Sequence, residues 1–262
     1  MKTLSSGSIV MIALAAVAPF TAAAQDAALP SADQLLDKYV AALGGKDAIQ
    51  KVTSRVAKGT LDVVTFGASG TFETDTKAPN KTVMTAEFAG YGTVIQCYDG
   101  KIGWASDPQQ GFRELAGAEL ATFKRSADLQ AALHTKDHYK KLTVTGKGKV
   151  GDKDAYIVEG QPAEGGPEKM YFDTQSGLLT RLEMPSPQGS GTVSMVFEDF
   201  KEVDGVKIAA TVHQETPEIS IVIKMEDIKQ NVPIDDSKFN KPAEATPTPT
   251  PAPAAAPAPA AK

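Results

Sequence analysis

The chain has 262 residues, a net charge of −5 and one cysteine, with acids and bases interspersed and no basic stripe. These features exclude an intramolecular disulfide and a multi-cysteine metal site, and they argue against nucleic acid as a partner. Once both ends are set aside as argued below, the remainder has the length of one sandwich or barrel domain.

Residues 1–24 read as a secretory signal peptide: Lys2, an apolar run over residues 9–20, then Ala22, Ala23 and Ala24. The run is too short to span a membrane and ends in small residues, so cleavage near Ala24 is expected. No cysteine stands beside that point, so a lipid anchor of the bacterial lipoprotein type is not expected. At the other end, residues 242–262 are almost entirely Pro, Ala and Thr, a composition that buries nothing and is expected to form a disordered tail. Residues 25–241 are left as the folded domain.

That domain opens with Ser31-Ala32-Asp33-Gln34, a capping box, and Leu35, Leu36, Tyr39, Val40 and Leu43 follow at helical spacing. Gly44-Gly45 ends this helix, and residues 46–51 suit a short second turn. Strands are expected over residues 53–66, 70–77, 80–88, 92–98 and 102–105, with a further short strand over 112–115. Cys97, flanked by Val94, Ile95 and Tyr98, reads as a buried strand thiol. Trp104, the single tryptophan, has two readings: a core anchor, or one wall of a ligand pocket.

Residues 117–134 read as a helix, with Leu120, Phe123, Ala127, Leu129 and Leu133 as its apolar side. In a β-rich chain a helix inserted midway plugs or covers a sheet. Strands follow over 139–147 and 155–161, with Gly146-Lys147-Gly148-Lys149 expected as a hairpin turn. Residues 168–228 then alternate apolar and polar residues almost without interruption. Met170 and Phe172, Leu182 and Met184, Met195 and Phe197, Val206 and Ile208, and Ile221, Ile223 and Met225 form the apolar set. A two-residue period means an antiparallel meander with one face buried. Val203-Asp204-Gly205 supplies the positive φ that a tight hairpin needs.

Catalytic patterns are missing. His134 and His138 are four apart, yet Thr135, Lys136 and Asp137 between them do not make the zincin motif, and His213 falls outside the apolar set of its strand. No nucleophile elbow, P-loop or dinucleotide fingerprint occurs in strand–turn–helix context. What remains is the apolar face. Met170, Met184, Met195 and Met225 lie in it, and methionine suits either a pliable ligand surface or an irregular core.

One family resemblance rests on the helix ending Ala42-Leu43-Gly44-Gly45, on Tyr98-Asp99-Gly100-Lys101 with Trp104, and on Tyr171-Phe172-Asp173 before Gly177-Leu178-Leu179. It ends on Phe197-Glu198-Asp199-Phe200-Lys201-Glu202-Val203-Asp204-Gly205. This resembles the outer-membrane lipoprotein-sorting group, of LolA/LolB-like fold, over residues 31–242. The resemblance implies an α+β, mainly antiparallel architecture: an unclosed half-barrel of about eleven strands, with two or three helices covering the concave apolar face. It also implies a cavity for acyl chains and an arginine that holds the helical lid, for which Arg55 is the candidate.

The candidate cavity residues are Trp104, Met170, Phe172, Met184, Met195, Phe197, Ile208, Ile221, Ile223 and Met225. The expected function is a monomeric periplasmic carrier of a Gram-negative cell, binding lipid, an acyl chain or a lipoprotein-like ligand, with no catalysis, cofactor or metal. The other reading is a non-catalytic structural or sensory module of the envelope that binds protein through its sheet edge or its Pro/Ala tail.

Overall fold

A computed structural model describes residues 28–186 and 191–242; the signal-peptide segment and all of the tail after Pro242 lie outside them. The capping box forms as expected at the start of α1 (Ala32–Ala42): Ser31 Oγ accepts from Gln34 N at 3.2 Å, and Gln34 Oε1 accepts from Ser31 N at 2.8 Å. A short α2 (Lys46–Gln50) follows. Gly44, at φ 122°, is needed between them. A Cβ there would lie 1.9 Å from the Gly205 carbonyl oxygen, and this close approach lets Lys207 N donate to Leu43 O at 2.8 Å.

Six strands come next: β1 (Ser54–Val63), β2 (Ala68–Lys77), β3 (Lys81–Phe88), β4 (Gly92–Tyr98), β5 (Gly103–Asp107) and β6 (Gly111–Glu114). Helices α3 (Gly117–Ser126) and α4 (Thr135–His138) precede β7 (Tyr139–Val150), β8 (Lys153–Pro162), β9 (Glu168–Asp173), β10 (Leu179–Pro185), β11 (Thr192–Val203), β12 (Val206–Glu215) and β13 (Ser220–Gln230). Among the described residues there are thus thirteen strands, with the short β5 and β6 at one edge, where about eleven were expected.

All thirteen strands join in one antiparallel sheet, ordered β6-β5-β4-β3-β2-β1-β13-β12-β11-β10-β9-β8-β7. Two meanders meet in the middle, where the first strand pairs with the last, and the edges β6 and β7 stay unjoined. The sheet is strongly curled. Nine strand spacings separate β5 from β9, more than about 40 Å if flat, while a ten-residue helix is about 15 Å long. Yet α3 touches both: Leu120 packs against Gly103 of β5, and Arg125 binds Glu168 of β9. The result is the unclosed half-barrel, with helices on its concave side.

Two expectations need correcting. The middle helix does not run through residues 117–134; it stops at Ser126. Asp128 Oδ1 accepts from Gln130 N at 2.8 Å, and this local turn replaces the helical bond before α4 begins. Gly146-Lys147-Gly148-Lys149 is not a turn either. It lies within β7, pairing with residues 154–157 of β8, and the turn falls at residues 151–152. A register shift between Val144 and Gly146 lets the strand carry two glycines and keep pairing.

Candidate functional site

Register fixes which side chains share the inner face. One row runs Val63, Ile221, Gln214, Met195, Leu182, Met170, Val158, Val144 across eight strands. The next runs Phe88, Gly70, Leu61, Ile223, Val212, Phe197, and a third joins Ala86, Phe72, Gly59 and Met225. The meander's apolar set is therefore one continuous inner surface, as its alternation implies.

Helices fill only part of that surface. Leu35 and Leu36 of α1 pack on Val158, Met170 and Phe172, and Tyr39 meets the Phe172 ring edge-on at 5.4 Å. Leu43, Ile49 and Val52 pack on Leu178, Val206 and Ile208. Met170, Phe172 and Ile208 are accordingly buried core residues. Met184 is buried as well, whereas Met195 and Phe197 are half-buried.

The remaining wall carries no helix. Leu61, Phe72 and Ala86 are buried, and Val63, Met84, Phe88, Ile221, Ile223 and Met225 pack around them half-exposed; every member belongs to β1, β2, β3 or β13. Helix α3 bridges the two halves of the curled sheet and is tied at both ends. Arg113 of β6 holds Glu119 of α3 through two bonds of 2.8 and 2.7 Å. At the far end Arg125 pairs with the buried Glu168, which also accepts from Tyr139 Oη at 2.6 Å. Burial and the Glu168 carboxylate push the Tyr139 phenol well up, so it stays a donor.

Trp104 does not join this wall. Cross-strand pairing places it in the row Val56, Asp75, Val83, Cys97, Trp104, on the outer face. Residues 231–242 strap that face, and Ile234 and Phe239 bury Trp104 together with Val83, Cys97 and Phe112. Cys97 Sγ donates to Phe239 O at 3.3 Å, and burial pushes its thiol up to about 12. Trp104 is thus the core anchor of its two readings, on the far side of the sheet from the other nine candidates.

Arg55 lies on the inner face of the central strand β1, facing Tyr39 of α1, and burial pushes its guanidinium down to about 10. Its guanidinium makes no hydrogen bond to a helix among the described residues. His134 Nδ1 and His138 Nε2 lie 2.7 and 3.6 Å from Asp128 Oδ2, and His213 lies 3.1 Å from Glu198, so each of the three imidazoles faces a carboxylate. Among the described residues no group of acids, histidines and cysteine has metal-ligand geometry.

Leu61, Phe72, Met84 and Phe88 were missed as wall residues. Their alternation was there to read, but Gly59, Gly70 and Thr74 interrupt it. Two depressions lie elsewhere. One of about 430 Å³ is bounded by α1 and residues 132–136; the other, of about 720 Å³, lies on the outer face beside Glu73, Asp75, Glu226 and Lys238.

A curled, unclosed sheet with helices on part of its concave face and a helix-free apolar wall on the rest is a half-barrel. No protein-family model matches the sequence, and no curated protein does. Solved structures do match. A DUF1329 family protein from Desulfovibrio piger superposes with a TM-score of 0.55 at 14% identity, over 79% of this chain and 96% of its own. A LolA superfamily protein from Nitrosomonas europaea gives 0.54 at 14%, over 81% and 99%. An outer membrane lipoprotein-sorting protein domain from Vibrio parahaemolyticus gives 0.54 at 10%, over 79% and 95%. The fold is the LolA-type half-barrel, and at such identities the likeness is one of fold. No helix among the described residues is long and apolar enough to cross a membrane.

Proposed function

We propose that the protein is a non-catalytic periplasmic carrier that takes lipid, an acyl chain or a lipoprotein-like apolar ligand into the hollow of the half-barrel, against its helix-free wall. The observation that carries this reading is the wall around Leu61, Phe72, Ile221, Ile223 and Met225, which no helix covers although helices pack the other half of the same face. A side chain left half-exposed on a concave surface can still bury area against a ligand. Each methylene transferred from water contributes about 0.8 kcal/mol, so six would contribute roughly 5 kcal/mol before the entropic cost of association.

Met195 and Phe197 extend the wall along the same rows toward β11, and methionines at 84, 195 and 225 suit it to ligands of varied shape. Arg55, facing Tyr39, marks where the helical cover meets the central strand. The signal-peptide pattern and the LolA-type fold support the periplasmic assignment. Native mass spectrometry of protein purified from its host should find bound lipid, and stripped protein should take up a neutral fluorescent probe such as N-phenyl-1-naphthylamine. Protein that is repeatedly lipid-free and takes up no probe would defeat the proposal.

A further inference from the structure

We propose that the ligand of the hollow carries an anionic end group, a carboxylate or a phosphate, and that Arg55 binds it with Gln230 beside it. This rests on the reading of the hollow as an acyl site and adds the chemistry of the ligand's polar end.

Arg55 and Gln230 are direct cross-strand partners where the first strand meets the last, with Thr76 on the other flank of Arg55. Arg55 Nε and Gln230 Oε1 are both sealed from solvent, and neither has a hydrogen-bond partner. Gln230 is only 6% exposed and is held in place by Nε2, which donates to Val203 O at 3.2 Å. Buried polar atoms normally find partners, and two orphans side by side on an inner wall are unusual.

The charge is more telling. Arg113, Arg125 and Arg181 each hold a carboxylate, Glu119, Glu168 and Glu183 respectively. Among the described residues Arg55 faces none. Its one ionisable neighbour is Tyr39, whose phenol burial pushes up to about 12 while Arg55 falls only to about 10. At neutral pH the phenol is therefore uncharged and the guanidinium is charged. A half-buried cation with its Nε sealed from water and no counter-ion loses part of its hydration, and an anion delivered by a ligand offsets that loss. Gln230 Oε1, an acceptor, suits a hydroxyl or N–H next to the anion.

Position agrees with charge. Arg55 and Leu61 share one face of β1 six residues apart, about 20 Å at the usual strand rise. An acyl chain anchored at Arg55 can therefore lie along the wall toward Leu61 and Ile223.

The test is competition against N-phenyl-1-naphthylamine on the stripped full chain, at a pH where fatty acids are ionised, with dodecanoic acid, methyl dodecanoate and dodecyl phosphate. Wild type should bind the acid or the phosphate roughly 10- to 100-fold more tightly than the ester, as expected for hydrogen bonds to a charged group. The better of the two anions tells a fatty acid from a phosphorylated lipid end. Arg55→Met should abolish the preference for the anions over the ester, while Arg55→Lys should keep part of it. Equal binding of acid, phosphate and ester by wild type overturns this inference alone, as does a preference that survives Arg55→Met. If no compound binds, the acyl reading of the hollow falls and this inference falls with it.

Discussion

Lys238 places its ammonium 2.8 Å from Asp75, whose carboxylate is buried on the outer face of β2. The same ammonium lies 3.1 Å from Glu73, so one side chain bolts the C-terminal strap over Trp104. Removing it leaves Asp75 buried without its counter-charge. Lys238→Met is expected to lower stability by about 1–3 kcal/mol, measured by urea unfolding. Asp75→Asn added to that variant should recover much of the loss, because an amide needs no counter-charge.

The strap should also loosen in acid. Lys77 and Lys81, each 3.1 Å away, hold the Asp236 carboxyl below its ordinary 3.8, and the Ser237 backbone N–H does the same for Asp235. A carboxyl lowered in the folded state contributes stability above its unfolded pKa, and that contribution is lost as pH falls through the folded value. Asp75, raised by burial, has the opposite sign and offsets part of the effect. Trp104, 2% exposed beneath the strap, reports the outcome. Its emission should shift red as pH falls below 3.8, ahead of far-UV circular dichroism. Emission that changes only with global unfolding would count against a separately released strap.

What the sequence could reveal follows from range. The inner set of the meander was legible because alternation is local, and Met170, Met195 and Ile221 do share one row. The face of Trp104 was not, since it depends on Ile234 and Phe239, two apolar residues in a polar stretch with no period. Arg55 could be singled out as a candidate, but its partner Gln230 could not, because their pairing requires the first strand to meet the last. Likewise the tie between Arg125 and Glu168 exists only because the sheet curls far enough for α3 to reach β9.

Because Trp104 lies on the outer face, ligand entry to the hollow should leave it undisturbed. Saturating stripped protein with dodecanoic acid should displace the naphthylamine probe with no shift in tryptophan emission. An emission shift that tracks occupancy would place the ligand in the outer depression of about 720 Å³, which Trp104 lines.

The two halves of the inner face should answer mutation in opposite ways. Phe172 of β9 is 1% exposed beneath α1, touching Tyr39, so Phe172→Ala opens a cavity and should cost about 3–5 kcal/mol. Ile223 belongs to the helix-free wall and is half-exposed, so Ile223→Gln removes little packing. Its polar end can reach water, and the melting temperature should move by only a few degrees, as for a loss of about 1 kcal/mol. Probe uptake should nonetheless fall several-fold, because the amide sits where acyl carbon is to be buried. Uptake that survives Ile223→Gln, with the fold shown intact by circular dichroism, would mean that the ligand lies elsewhere. A large loss of stability in that variant would mean that the wall is already packed core.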